Sequence, residues 1–237
     1  MQAIFESTLR IIRVKPKTFT TFVVELHPKC INLIFPVTFI MCMKRILYIF
    51  LSVLLLSACA GDRSAKILFE RVEGIMEDAP DSALAILDSA ESKVGEYSKA
   101  DRMRYQLLKA EAMNKSFVDF TTDSVMLEVA RYYDRHGSSN EKMKAHYLLG
   151  CTYRDMGEAP MALQCYNDAV GKADTLSQDC DYVTLYKIYG QIADVLEAQV
   201  MPDEQLDALR QYSKYALKAG DIYEHIRGNE FMAIAYV

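Results

Sequence analysis

Seven residues between Leu149 and Ala169 constrain this chain more than any other stretch: Leu149-Gly150-x2-Tyr153-x3-Gly157-x4-Ala162-x3-Tyr166-x2-Ala169. Intervals of three and four return side chains to one side of an α-helix, and Gly157 divides the run into two helices. Small residues at 150 and 162 let the two helix axes approach, while Leu149, Tyr153 and Tyr166 fill the space that remains. Ala169 is left for contact with a following unit. A single helix pair cannot bury its apolar side, so the chain must supply neighbours that stack on it.

The rest of the sequence offers such neighbours. With only 10 Gly and 6 Pro in 237 residues, the composition favours helices over a turn-rich β protein. Periodicity and punctuation predict helices over 66–78, 81–92, 98–116, 122–136, 140–156, 159–174, 180–199, 203–219 and 222–237. Ala79-Pro80-Asp81-Ser82 stops one helix and restarts the next, with Asp81 or Ser82 available to cap free N–H groups. Gly137 with Ser138-Ser139-Asn140, and Met201-Pro202-Asp203, act in the same way. Looser echoes of Ala162-x3-Tyr166 begin at Ala83, Val125 and Ala208, and Tyr189-Gly190 echoes Leu149-Gly150. The expected fold is all-α, a solenoid of antiparallel helix pairs over 66–237.

The motif resembles the tetratricopeptide (TPR) repeat, with His146 where that family most often has Trp and Asp174 near its closing Pro. The resemblance implies a right-handed superhelix that binds proteins or peptides in a concave groove lined by the first helix of each pair. Helical spacing from the motif places Tyr147, Cys151 and Arg154 on that groove, with Lys187, Gln191 and Asp194 from the following pair and Gln106 and Asn114 from the preceding one. Tyr147 and Cys151 occupy the places of the basic and amide clamp that holds acidic chaperone tails, so tails of that kind are not expected. Pro80-Asp81-Ser82-Ala83-Leu84-x2-Leu87-Asp88 and Tyr153-Arg154-Asp155-Met156-Gly157 resemble the envelope TPR lipoproteins of Bacteroidetes. Some of that group continue into a membrane helix and a helix-turn-helix transcriptional regulator. The alternative function is therefore the sensor half of such a regulator, truncated here.

Residues 43–58 read as an export signal. Met43-Lys44-Arg45 is basic, Ile46 to Leu56 is apolar but too short to span a bilayer, and small residues precede Cys59. Leu56-Ser57-Ala58-Cys59 resembles the lipobox of bacterial lipoproteins, which implies lipidation of Cys59 and a mature chain that starts there. Residues 59–65 become a linker, and 1–42 read as an upstream segment that is not part of the working protein. No Asp follows Cys59 directly, which by the same resemblance favours the outer membrane of the cell envelope. At the other end, Ile234-Ala235-Tyr236-Val237 breaks off in mid-helix with Phe231 and Met232 uncovered, so the intact product is expected to be longer and this chain a C-terminally truncated fragment.

Charge narrows the partners. Residues 1–59 carry 7 Lys/Arg against 2 Asp/Glu, whereas the remainder carries 20 against 30. An acidic body does not suit nucleic acid, which needs clustered cations. The four His pair with no Cys or Ser in a nucleophile motif, and no glycine-rich phosphate loop occurs, so no enzyme activity, metal or cofactor is expected. Cys151 and Cys165, on opposite helices of the motif, are read as small buried side chains, with a disulfide open to them only if their Cα atoms approach within about 7 Å.

Overall fold

The computed structural model describes residues 63–235. The expectations for 1–42, the signal at 43–58 and the lipidated Cys59 fall outside the described residues. Helices follow in order: α1 (63–75), α2 (Pro80–Ala90), α3 (Lys99–Lys115), α4 (Ser124–His136), α5 (Ser139–Asp155), α6 (Ala159–Lys172), α7 (Tyr182–Ala198), α8 (Pro202–Lys218) and α9 (Ile222–Ala235). A 3-10 helix, Glu91–Glu96, connects α2 to α3 where the sequence predicts only a break. Among the described residues there is no β-strand, and no helix is long and apolar enough to cross a membrane.

Punctuation sets the starts. Pro80 and Pro202 stand in the first turns of α2 and α8, where the missing N–H is harmless. Pro80 opens α2 itself, so Asp81 and Ser82 lie inside the helix and cap nothing; the residue ahead of it, Ala79, has no side chain able to do so. Three other helices have polar side-chain caps. Ser98 accepts from Asp101 N, Asp181 accepts from Thr184 N, and Ser138 with Glu141 forms a reciprocal capping box.

Four helices end in one geometry. After α3, α5, α7 and α8 a single residue turns left-handed, and the next N–H reaches back five residues: Val118 to Met113, Glu158 to Tyr153, Met201 to Leu196, Asp221 to Ala216. Gly157 and Gly220 hold that position at φ 79°, as the family of caps prefers. Phe117 (φ 54°) and Val200 (φ 59°) hold it in the other two, where a side chain costs about 1–2 kcal/mol.

The pairs α5–α6 and α7–α8 interlock at glycine. A Cβ added to Gly150 would collide with the ring of Tyr166, and one on Gly190 would lie 3.2 Å from the ring of Tyr212. Tyr212 is also covered from its other side, because a Cβ on Gly228 of α9 would stand 2.8 Å from it. One core runs through these helices and takes in Met103, Leu107 and Ala110 of α3. A second core gathers Phe69 and Val72 of α1, Leu87 of α2 and Tyr97, and α3 closes it with Tyr105, Leu108 and Ala112. α3 thus serves both cores from different sides.

Candidate functional site

Alternate helices α3, α5 and α7 line a concavity of about 690 Å³, which Glu77, Glu111, Asn114, Lys115, Lys144, Tyr147, Tyr186 and Lys187 help to enclose. Polar side chains cross from each helix to the next. Lys115 Nζ lies 2.8 Å from both carboxylate oxygens of Glu77, in the turn after α1. Lys144 of α5 donates to Glu111 of α3 at 2.9 Å. Upstream, Arg104 donates to Glu73 at 2.7 Å and extends the row along α3. Glu77 also comes within 4.0 Å of Lys187 on α7, so the turn after α1 and helix α7 meet across the opening.

Arg154 is the centre of a second set of contacts. Its guanidinium donates to Asn114 Oδ1 on α3 at 3.2 Å, to Asp155 on its own helix, and to Gln191 Oε1 on α7. Gln191 in turn donates to Asp194 at 3.4 Å, and the Tyr166 hydroxyl donates to the same Gln191 oxygen at 3.4 Å. Asp155 also accepts from Phe120 N, which ties the α3–α4 loop to the end of α5. A guanidinium suits this place because it donates in several in-plane directions at once and stays charged when half-buried.

Of the residues expected on the groove, Asn114, Tyr147, Arg154, Gln191 and Asp194 are brought together here, and Lys187 lines the same concavity through its approach to Glu77. Gln106 is set apart: it stands about half a turn around α3 from Arg104 and Leu108, on the opposite side of the helix. Cys151 is fully buried beneath the groove rather than open to it. Its thiol is touched by the Tyr166 hydroxyl and by Arg154, and burial pushes its pKa to about 11 despite the guanidinium. Burial likewise raises the Tyr147 and Tyr166 phenols, which sit with ring centres 6.1 Å apart. Both hydroxyls stay neutral and serve as hydrogen-bonding groups. Lys187 is held below the usual amine range by burial and by the nearby Lys115 ammonium.

Glu77, Lys115, Lys144 and Tyr186 are groove residues that sequence spacing does not single out. Lys144 stands one turn before Tyr147, and Glu111 and Lys115 are four apart on α3, so the register of each helix could have found them. Glu77 lies in a turn outside any helical register. His146, which stands where the TPR family most often has Trp, is buried, with Nε2 3.1 Å from Asp134 of α4, which also binds Lys172 at 2.7 Å. Desolvation raises the Asp134 pKa, and the bonds from Lys172 and His146 outweigh it and hold the carboxyl below its ordinary value. Cys151 and Cys165 are both buried free thiols. Among the described residues no group of three or more His, Cys, Asp or Glu is placed to hold a metal ion.

No family model matches the sequence, and no curated protein matches it. The fold does match a solved structure, the nearly identical TPR-like repeats of a Podosopora anserina protein described as a kinesin light chain. The TM-score is 0.54 at 13% identity, over 72% of this chain and 84% of that one. At that identity the likeness concerns the fold: this chain is a TPR-like α-solenoid.

Proposed function

We propose that the chain is a lipid-anchored scaffold of the cell envelope that captures a protein or peptide partner in the groove of α3, α5 and α7. A TPR-like solenoid is an architecture suited to holding other proteins, because stacked pairs present an extended curved surface. One observation carries the groove reading. Successive inner helices share a continuous row of polar and charged side chains, from Glu73 and Arg104 to Arg154 and Gln191, around a concavity large enough for a peptide segment. Cations and carboxylates alternate there and the half-buried Tyr147 lines the opening, which suits a partner of mixed charge with exposed backbone amides.

The anchor rests on the sequence alone: the export signal of 43–58, the Leu-Ser-Ala-Cys motif ending at Cys59, and Ala60 after it, which favours the outer membrane. Acyl labelling tests it. Native chain should take up labelled fatty acid and fractionate with membranes, and Cys59→Ala should do neither; retention of the variant in membranes would refute the anchor. For the groove, a photo-crosslinking residue at Lys187 should trap the partner in intact cells, while one at Glu128, on the exposed surface of α4, should not. Equal trapping from both positions would move the site elsewhere.

A further inference from the structure

Short connections make successive helices antiparallel, so α1, α3, α5 and α7 all run the same way and the turns that follow them share one edge of the array. Glycine holds the left-handed cap after α5, but Phe117 holds it after α3 and Val200 after α7. Bulky and β-branched residues are outliers in that conformation. Neither side chain gains packing within the chain in return, since Phe117 is 93% exposed and Val200 84%. Phe117 lies in the middle of the array, with helices on both sides. Its loop is tied to the end of α5, where Asp155 accepts from Phe120 N at 3.2 Å and Asp123 accepts from the Tyr153 hydroxyl at 2.8 Å. The ring is therefore presented on a fixed support and is bare although the next unit is in place beside it.

Val118 beside it, and Met156 and Met201 on the two following turns, are exposed as well. Apolar side chains thus recur over about 20 Å of this edge, two helix spacings. The charges among them have one sign. Asp78, Asp119, Glu158 and Asp203 stand one at each of the four turns, all exposed, with no cation bound to any of them among the described residues. Lys115 and Arg154, the cations at the ends of α3 and α5, are already held, the first by Glu77 and the second by Asp155, Asn114 and Gln191. Glu158 and Asp203 also suit the helix starts they flank, but Asp119 has no such role. An acidic edge opposes an anionic lipid surface and is complementary to Lys and Arg. Strained residues kept where they touch nothing inside the chain point to a contact outside it.

We propose that this edge is a second docking surface, on which Phe117 and Val200 enter apolar sockets of a partner protein whose surrounding surface is rich in Lys and Arg. This goes beyond the groove reading, and none of the tips or carboxylates it uses lines the concavity.

Photo-cross-linking of the full chain in intact cells tests it first. A photoreactive residue in place of Phe117 or of Val200 should form an adduct with one and the same protein, identified by mass spectrometry. The same residue in place of Arg135, exposed at the end of α4 on the opposite edge, should not. No adduct, different proteins from the two turns, equal trapping from Arg135, or an adduct with lipid or with a second copy of this chain overturns the proposal. Titration of the identified partner against the full chain in mild detergent then tests the chemistry. Phe117→Gly should raise Kd about tenfold or more while leaving the chain's own unfolding midpoint unchanged or higher, a combination that a residue serving only the fold cannot give. Asp119→Lys with Glu158→Lys should also raise Kd about tenfold, by a factor that shrinks as salt is added. A Kd that stays within about twofold in either variant, a lower midpoint for Phe117→Gly, or tighter binding after the charge reversal also overturns it.

Discussion

The first helical unit and the middle of the array close their seams by opposite means. α1 and α2 meet through side chains: Phe69, Val72, Ala83 and Leu87 pack over Tyr105, whose hydroxyl donates to Leu87 O at 3.0 Å. The two glycines of this region, Gly74 and Gly95, have open space where a Cβ would be. In α5–α6 and α7–α8 the seam is instead a tyrosine laid on a bare stretch of backbone, Tyr166 on Gly150 and Tyr212 on Gly190. The same residue type is a constraint in one region and a spare position in the other. What decides is whether an aromatic ring from the partner helix has taken the room.

Five substitutions probe this contrast and the helix ends, in decreasing size of effect. Phe69→Ala removes a fully buried ring from the smaller core and should cost about 3–5 kcal/mol in urea unfolding; a loss under about 1 kcal/mol would mean the first unit does not depend on its side-chain seam. Gly150→Ala adds one methyl group against the buried Tyr166 ring, whose hydroxyl is engaged by Cys151 and Gln191, and should destabilise by about 1–3 kcal/mol. Gly74→Ala has the opposite sign: with space around it and better helix propensity, it should raise the unfolding midpoint, by a stability gain of up to about 1 kcal/mol. If both glycine variants shift the midpoint in the same direction, the distinction between the two seams is lost. Val200→Gly relieves a left-handed valine and should stabilise by about 0.5–1 kcal/mol, whereas Gly157→Ala at the equivalent cap should destabilise by a similar amount.

Thiol chemistry provides a further, milder check on the middle region. Cys151 is fully buried and its thiol is held near pKa 11, and Cys165 is buried beside Asp168 with a comparable rise. Peptide mapping after brief alkylation of native protein should find both unlabelled while the more open Cys180 is modified. Early labelling of Cys151 would mean that Tyr147 and Arg154 do not cover it.

The helices were legible because their ends carry chemistry: Pro80 and Pro202 at starts, Gly137 and Gly157 at stops, and apolar residues at intervals of three and four between them. The caps at Phe117 and Val200 were not, since left-handed ends are read from Gly or Asn, and only the hydrogen-bond geometry reveals the other two. Gly228 was missed for the converse reason: it sits in α9 without the neighbouring pattern that marks Gly150. In the groove, the register fixed by Gly150 carried over to Arg154 and, through Gly190, to Gln191, and the structure joins those two side chains. Gln106 has no such fixed point on α3, and it stands about half a turn from Arg104 and Leu108. Glu77 could not have been found, because its approach to Lys187 spans most of the array and depends on how sharply the stacked pairs curve.

That approach has a consequence for entry. Glu77 is already seated between Lys115 and Lys187, so a guest cannot simply add itself to bare ammonium groups there. It has to trade places with a resident carboxylate, and admission becomes an exchange of one set of ion contacts for another. The net gain is then a small difference between similar quantities, and dissolved salt weakens both the incumbent and the newcomer. Occupancy at this mouth should accordingly vary gently with ionic strength, where an unfilled cationic cleft would respond steeply.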